Sequence, residues 1–432
     1  MAVDYSSFLS DVSKSRVPNP IRGLLHLETF PNVISLLAGK PNPATFPITS
    51  ISFNARNPLK DGKEESFNLT QEEVAVALQY NMIAGVPELV AWLTDFQAHE
   101  HKRAKDSAVW RLSVGAGGQD MIYKAFLTLI NHGDSVLVEA PVYAGVIPLL
   151  QTLQAKPVEV ETDPDGVDPS SLREILESWP VGKPMPKVMY TVPYGNNPSG
   201  STTTEARRRE ILALAHKYNF LIIEDCPYYF LYFDSKPRPP SYFSLDTEGR
   251  VLRIDSFSKV LAAGLRICFA TGPTPLLVAI DLHTSSANLQ AASTSQVIVY
   301  KLLSSWGIEG LHAHIRTVAD FYLGKRDVFQ AAMERHLTGL ARWSLPRAGM
   351  FFWFELVLPP GGDSKELIQT KAFEAGVLAL PGVVFYANGR KTAFVRASFS
   401  LLDEAEVNEA LSRLAKVIRN EWPDGHVPAA TS

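Results

Sequence analysis

Cysteine is scarce in this sequence, which has only Cys226 and Cys268 among 432 residues. Two thiols in so long a chain do not make a disulfide framework, and without a CxxC pair they do not predict a zinc site. We expect both to be buried thiols. The histidine pairs that begin at His99 and His312 have no third ligand at a suitable spacing, so we expect solvated helix faces there and no metal site.

Long hydrophobic runs are also absent. No apolar stretch reaches the roughly eighteen residues that cross a membrane, and the opening MAVDYSSFLSDVSK lacks the basic start and apolar middle of a secretory signal. The sequence therefore predicts a cytoplasmic chain that has no membrane partner.

Neither sign of charge dominates. Lys and Arg number 41 and Asp and Glu number 45, which gives a formal net charge of −4 at pH 7. No block of one sign is long enough to follow a phosphate backbone, so nucleic acid is not an expected partner. Hydrophobic residues make up 46% of the chain, enough to fill more than one core, and two domains are expected.

Short apolar, β-branched runs alternate with segments of helical period through the middle of the chain. The candidate strands are residues 110–114, 135–140, 187–192, 220–225, 250–255 and 265–272. Residues 119–130 and 204–218, which lie between them, have helical period. This alternation predicts an α/β domain with a mostly parallel, doubly wound sheet.

A second pattern begins near residue 305, where long helices precede the strands FFWFELVL and AFVRASFS and a closing helix from 403 to about 419. We expect the Pro-rich N-terminal stretch to pack against this C-terminal unit. The predicted organisation is an N-terminal arm with the first part of a small α/β domain (1–52), a large ligand-binding domain (53–318) and the rest of the small domain (319–432).

Open α/β sheets bind ligands beyond the carboxyl ends of their parallel strands. The stretches found there are GAGGQD, APVYAG, PYGNNPSG, EDCPYY and SFSK. With the arginine that follows, they supply glycines that open a helix, two tyrosines, an asparagine, a carboxylate, two serines and a lysine. This set suits a planar, phosphorylated nitrogen heterocycle.

Pyridoxal phosphate is such a heterocycle. Its phosphate wants N–H groups at a helix N-terminus, hydroxyls and a guanidinium. The candidates for these contacts are Gly118, Gln119, Ser256, Ser258 and Arg266. The ring accepts electrons only while its nitrogen stays protonated, a state that Asp225 would hold. Lys259, in DSFSKVLAAGLR, would be costly as a buried ammonium, whereas in a Schiff base with the cofactor it is no longer an isolated ammonium.

The motifs NNPSG, EDCPYY, DSFSKVLAAGLR and FVRASFS, in this order and spacing, resemble fold-type-I PLP-dependent aminotransferases. The branch that they resemble contains kynurenine/2-aminoadipate aminotransferases and fungal aromatic amino acid aminotransferases. The similarity runs from about Ile21 to the C-terminal helix and includes SLLAGKPNPATFP, ALQYNMIAGVPELVAWL and LTGLARWSLPRAGMFFW. Several motifs in register are much more specific than any one of them.

The resemblance implies a role for each matching residue. Lys259 would be the Schiff-base lysine and Asp225 the partner of the ring nitrogen. Asn197 and Tyr228 would bond the cofactor's phenolic oxygen. Tyr143 would stack on the ring.

Further matches concern the substrate and a second subunit. Arg396 would bind the substrate α-carboxylate, with Asn197 beside it. Arg22 and Gly39 fall on the segment that closes over the substrate side chain in this branch. Tyr80 would reach the phosphate of the partner subunit, which implies a homodimer with shared active sites.

Three positions depart from the family pattern. Gly118 replaces a common serine, so a backbone N–H has to make that phosphate contact. Cys226 follows Asp225 where an acidic or small residue is common. Lys40 occupies a position that is often apolar in the aminoadipate enzymes, and it bears on the substrate range.

The implied reaction is ping-pong transamination from an aromatic amino acid (Tyr, Phe or Trp) to 2-oxoglutarate, with Lys259 carrying the proton between substrate and cofactor. Two alternatives stay open. The donor could be kynurenine or 2-aminoadipate, or the same residues could serve a PLP-dependent lyase that performs C–S cleavage or β-elimination. A ligand-sensing transcription regulator is not expected, because only about 20 residues precede the matching region.

Overall fold

The structure is a computed structural model that describes residues 3–21, 24, 27–28, 30–37 and 39–422. The chain divides into two compact units. The first unit comprises Met1–Asp134, Phe220–Pro227 and Pro240–Arg316, and the second comprises Ser135–Asn219, Tyr228–Pro239 and Thr317–Ser432. The domain boundaries expected from the sequence, at 52/53 and 318/319, stay a prediction.

The strands follow one another along the chain in fourteen described segments. They are β1 (Ser52–Arg56), β2 (Glu64–Asn68), β3 (Trp110–Gly115), β4 (Ser135–Ala140), β5 (Lys156–Asp163), β6 (Gly166–Val167), β7 (Val188–Thr191), β8 (Leu221–Cys226), β9 (Val251–Ser256), β10 (Cys268–Pro273), β11 (Ala341–Trp343), β12 (Phe351–Leu356), β13 (Leu380–Pro381) and β14 (Phe394–Ser398).

The α-helices lie before, between and after these strands. They are α1 (Asp11–Ser15), α2 (Gln71–Ala77), α3 (Pro87–Glu100), α4 (Gly118–Leu129), α5 (Ile147–Thr152), α6 (Pro169–Glu177), α7 (Glu205–Tyr218), α8 (Tyr242–Leu245), α9 (Thr274–Ala287), α10 (Ser293–Leu337), α11 (Ser364–Leu367) and α12 (Glu404–Asn420). Gly307 interrupts α10 with φ 64° and ψ −176°. No helix in the described part of the chain is long and apolar enough to cross a membrane.

The first unit contains the strand order β3-β10-β9-β8. β8 and β9 are parallel, whereas β10 is antiparallel to both of its neighbours. Every residue of β8, β9 and β10 is buried, as expected for strands covered on both faces. The strand expected at 265–272 begins only at Cys268, because residues Ala263–Leu265 form a 3₁₀ turn and Arg266 is left-handed, with φ 53°.

The second unit contains two sheets. β4 is parallel to both β5 and β7, and a separate antiparallel sheet has the order β11-β12-β14-β13. The antiparallel sheet packs its Phe352, Phe354 and Val395 side chains against Leu411 and Ile418 of α12. The α/β class predicted from the sequence is confirmed, with parallel pairs at the centre and antiparallel strands beside them.

The N-terminus of α4 differs from those of α2 and α12 in how it is capped. Capping boxes begin α2 at Thr70 with Glu73 and α12 at Asp403 with Glu406. Gly117 begins α4 instead, and no described side chain caps that helix. The first N–H groups of α4 therefore face a position that a bound anion can fill.

Candidate active site

Asp225 lies on β8 in the first unit, 5% exposed. In the register of β8 and β9 it stands opposite Ile254. Because side chains alternate along a strand, Asp225 and Ser256 share one face of this strand pair. The opposite face holds a buried charged layer that the sequence analysis missed.

That layer is centred on Arg253. Its Nε and Nη2 donate to the Asp255 carboxylate at 2.8 and 2.6 Å, and its Nη1 lies 3.3 Å from Glu224 Oε1. All three side chains are buried. Burial raises the pKa of Asp255, and the guanidinium opposes that rise. The arginine is inconspicuous in the apolar run RVLRID, which is why pattern analysis overlooked it.

Lys259 ends a 3₁₀ turn, Phe257–Lys259, that begins directly after β9. The Ser256 hydroxyl oxygen accepts the Ser258 N–H at 3.2 Å, and Phe257 packs its ring 5.6 Å from that of Phe269. Lys259 is half-buried. Its pKa is lowered mainly by burial and to a smaller extent by the nearby Arg266 charge. Its ammonium form is therefore disfavoured, as the sequence analysis expected.

Arg266 lies against the N-terminus of α4. Its Nη1 donates to Ser258 Oγ at 3.5 Å and to the Ala263 carbonyl at 3.2 Å. A Cβ on Gly117, whose φ is 98°, would come within 1.9 Å of Arg266 Nη2. Only glycine leaves room for the guanidinium there, a contact that the sequence analysis missed.

The structure thus brings together, in the first unit, three groups of the kinds that bind phosphate: a helix N-terminus at Gly118, the Ser258 hydroxyl and the Arg266 guanidinium. Gln119 is an exposed residue in the first turn of α4. No described atom lies within 4 Å of a Cβ built on Gly118, so a serine would fit where this chain has glycine. This arrangement suits the phosphate of pyridoxal phosphate.

In the second unit, Arg396 on β14 is the central cation. Its Nη1 donates to Asn197 Oδ1 at 2.8 Å, and its guanidinium lies 4.3 Å from the centre of the Phe351 ring and 5.2 Å from that of Phe385. Burial lowers its pKa, but a guanidinium stays charged. Its Nε is buried and has no hydrogen-bond partner among the described residues, which leaves a donor for a carboxylate.

Two tyrosines complete the second-unit group. Tyr228 is 5% exposed, and its ring meets that of Phe351 edge-on at 5.8 Å. Tyr143 is half-buried, and its ring folds over Gly145, where a Cβ would come within 2.4 Å of the tyrosine Cζ. Gly145 therefore permits this ring position.

The structure gives few contacts for the candidate site residues of the N-terminal segment. Arg22 lies outside the described residues. Gly39 is exposed. Lys40 is exposed and pairs with Glu28 at 3.1 Å. Tyr80 is 52% exposed on the first unit.

The cysteines and histidines were predicted with mixed success. Cys226 and Cys268 are free and buried, as predicted, and burial raises the pKa of Cys268 to about 12. The solvated helix faces expected for the histidine pairs were wrong in part. His101 is buried and lies 2.9 Å from the Ser241 hydroxyl, and His312 lies 2.9 Å from Glu100. Tertiary packing therefore covers part of these faces.

Comparison with known proteins decides the family. The family described as aminotransferase class I and II matches residues 53–414. The chain belongs to this family. The resemblance seen in the sequence motifs is confirmed, and pyridoxal phosphate is the cofactor that the family implies.

Individual relatives of this aminotransferase include both kinds of enzyme in the resembled branch. It is 41% identical to the mitochondrial kynurenine/alpha-aminoadipate aminotransferase of Bos taurus, over 96% of this chain and 99% of the relative. It is 31% identical to an aromatic amino acid aminotransferase of Schizosaccharomyces pombe, over 97% of each. The crystal structure of aminotransferase Aro8 from Candida albicans aligns with a TM-score of 0.90 at 28% identity, covering 98% of this chain and 99% of that one.

Substituting Gly117 tests the phosphate contact. Gly117→Ala places a methyl group on the Arg266 guanidinium, and displacing this charged donor should weaken binding of pyridoxal phosphate to the apoprotein by about tenfold or more. Absorbance titration of the apoprotein with the cofactor measures the affinity. Gly133→Ala is the control, because Gly133 also has a positive φ, 81°, but no described atom within 4 Å of a built Cβ. An unchanged affinity in Gly117→Ala would contradict the assignment of Arg266.

Proposed function

We propose that this aminotransferase moves the amino group of an aromatic amino acid, Tyr, Phe or Trp, to 2-oxoglutarate by a ping-pong mechanism. The observation that carries the proposal is Arg396, a half-buried guanidinium with aromatic rings packed on it, whose Nε has no hydrogen-bond partner in the part of the chain that the structure describes. Its fork suits the α-carboxylate that amino and oxo acids share. The rings beside it supply apolar surface suited to an aromatic side chain.

The cofactor-binding roles follow the resemblance. Gly118, Gln119, Ser256, Ser258 and Arg266 would bind the phosphate. Tyr143 would stack on the ring, while Asn197 and Tyr228 would bond its phenolic oxygen. In support, Arg266 lies against the start of α4, whose first residue is Gly118, and its Nη1 lies 3.5 Å from the Ser258 hydroxyl.

The catalytic roles rest on two ionisable groups. When bound, the cofactor supplies a ring that takes up electrons from the substrate Cα. Asp225 would hold a proton on the ring nitrogen. Lys259 would hold the cofactor covalently and, once released, would move the proton from the substrate Cα. Its lowered pKa favours the neutral amine that a base requires.

A kynurenine or 2-aminoadipate donor is supported equally well by the relatives, since the Bos taurus protein carries that name. A 2-aminoadipate side chain needs a cation for its distal carboxylate. Lys40 is exposed and pairs with Glu28 at 3.1 Å, and Arg22, the other candidate cation, lies outside the described residues. We place the aromatic donor first because the sequence motifs resemble those of the fungal aromatic enzymes.

The location and a lyase activity remain predictions. The expected cytoplasmic location contrasts with mammalian relatives that are named as mitochondrial. A C–S lyase or β-eliminating enzyme would use the same cofactor contacts, so only the products distinguish it from a transaminase.

A donor panel with 2-oxoglutarate tests the function. We expect glutamate with Tyr, Phe or Trp at higher kcat/KM than with kynurenine or 2-aminoadipate, and no pyruvate or ammonia. Lys259→Ala should abolish glutamate formation and the visible absorption of bound cofactor, whereas Lys301→Ala, a half-buried lysine paired with Glu73, should keep both. Preference for 2-aminoadipate would favour the alternative donor, and pyruvate with ammonia would favour the lyase.

Arg396 should dominate recognition of the α-carboxylate. Charge-assisted hydrogen bonds contribute about 1.5 to 3 kcal/mol each, so losing a bidentate pair in Arg396→Ala should lower kcat/KM by about a hundredfold or more. Arg396→Lys should recover only part, because an ammonium cannot present a fork. Steady-state kinetics at saturating cofactor measure both variants. Near-normal kcat/KM in Arg396→Ala would place the carboxylate elsewhere.

A homodimer is the proposed working unit. The first unit exposes large apolar side chains that a second copy could cover, including Ile34 at 92%, Leu36 at 99% and Met82 at 58%. Tyr80, also exposed, would bond the phosphate of the partner subunit, as the resemblance implies.

Subunit mixing tests whether active sites are shared. A Lys259→Ala chain and a Tyr80→Glu chain, which sets a carboxylate against the phosphate, should each be nearly inactive. Their mixed dimer should regain about half of the wild-type dimer activity, because one site carries both defects and the other carries neither. Mixing two differently tagged Lys259→Ala chains is the control. A confirmed heterodimer without recovery would assign Tyr80 to its own subunit's site.

A further inference from the structure

Glu139, near the end of β4 in the second unit, is a buried carboxylate. It is not one of the residues proposed to contact the cofactor or the substrate. It is 2% exposed. Its Oε1 accepts the Thr191 hydroxyl at 2.6 Å, and its Oε2 accepts the Val192 N–H at 3.0 Å and Asn196 Nδ2 at 2.5 Å. Hydrogen bonds from these neutral donors offset part of the cost of burying the carboxylate.

Asn196 links Glu139 to the tight turn that follows, residues 196–201. Its Oδ1 accepts the Ser199 N–H at 3.1 Å, its carbonyl accepts the Gly200 N–H at 2.7 Å, and its own N–H donates to the Ser201 carbonyl at 2.9 Å. The side-chain and backbone polar groups of Asn196 are therefore all engaged. The turn has little freedom to move while Glu139 holds Asn196.

The next residue in that turn is Asn197. Arginine only donates hydrogen bonds, so the contact with Arg396 Nη1 at 2.8 Å requires Asn197 Oδ1 on that side. Asn197 Nδ2 consequently points away from Arg396 and can donate to an anionic oxygen. A shift of the turn would disturb the acceptor and the donor of this amide together.

We propose that Glu139 is a positioning residue for transamination: through Asn196 it orients the Asn197 amide toward both Arg396 and the cofactor's phenolic oxygen. The inference rests on the proposed function, which assigns those two contacts. Displacements of about 1 Å in such positioning groups can lower rates about a hundredfold.

Removing the carboxylate tests the proposal. Glu139→Ala should raise the KM for the amino donor about tenfold, because Asn197 no longer holds Arg396 in place. It should also raise the pH midpoint of the visible absorption of bound cofactor by about half a unit or more, because an anionic oxygen that loses a donor becomes more basic. The second readout needs no substrate.

Two variants separate positioning from charge and from stability. Glu139→Gln should bring both KM and the pH midpoint most of the way back to their wild-type values. The glutamine amide oxygen can replace Oε2, and the Thr191 hydroxyl can rotate to accept from the glutamine NH₂. Asp246→Ala is the control. Asp246 is also buried and accepts four backbone N–H groups, from Glu248, Gly249, Arg250 and Val251, but its loop carries no candidate site residue. It should lower Tm while KM and the midpoint stay unchanged.

A lowered Tm with wild-type KM and midpoint in Glu139→Ala would overturn the proposal, as would a glutamine variant no better than alanine. Should Glu139→Ala fail to fold, Asn196→Ala gives the same test, since it cuts the link to the turn and keeps the bonds from Thr191 and Val192. Failure of the proposed function would appear differently, as an unmodified enzyme that transaminates no amino acid in the panel.

Discussion

The contact between Arg266 and Gly117 is the constraint on which the candidate phosphate site of the first unit depends. It needs two unusual backbone conformations, φ 53° at the arginine and φ 98° at the glycine. Together they set a guanidinium beside the start of α4, where helix N–H groups and positive partial charge already favour an anion. Because α4 follows β3 and Arg266 precedes β10, the antiparallel pairing of these strands brings the two parts of the anion site together.

In the second unit, the candidate cation Arg396 is held in place by a different set of contacts. Arg396 is held by a side-chain amide and by aromatic rings rather than by a paired carboxylate. Among the described residues no carboxylate pairs with this guanidinium, and the rings cover part of it. In the role proposed for it, such a guanidinium would bind a substrate carboxylate more strongly than one already neutralised by an internal acid. Glu139, the proposed anchor of this region, accepts a hydrogen bond from Asn196, whereas the acceptor beside Arg396 is the neutral amide of Asn197.

Much of this arrangement could be predicted from the sequence, because it follows from strand ends. The runs around 135–140, 220–225 and 250–255 are apolar and β-branched, so the residues after them were expected at one edge of a sheet. Strand β5 was missed because charged residues in KPVEVETD interrupt its apolar pattern. The start of β10 was misplaced because the left-handed Arg266 breaks an otherwise regular run.

Some residues of the candidate site could likewise be predicted from the sequence, and others could not. Residue types with distinctive chemistry, such as Lys259, Asp225 and Arg396, could be found from motifs. Gly117, Glu139 and Arg253 could not, because their roles depend on what lies beside them in space. A glycine that admits a guanidinium and a glutamate that holds a turn look ordinary in one dimension.

Gly118 shows how backbone geometry can replace a side chain. A serine would fit there, so packing does not impose the glycine. The helix start nevertheless presents N–H groups whose direction is set by α4 and whose use costs no side-chain rotamer entropy. A serine hydroxyl adds a contact but must be ordered to make it. With Arg266 held beside Gly117, the anion site combines a backbone donor and a guanidinium that are both constrained before any ligand arrives, and the lost hydroxyl is the least pre-organised of the possible contacts.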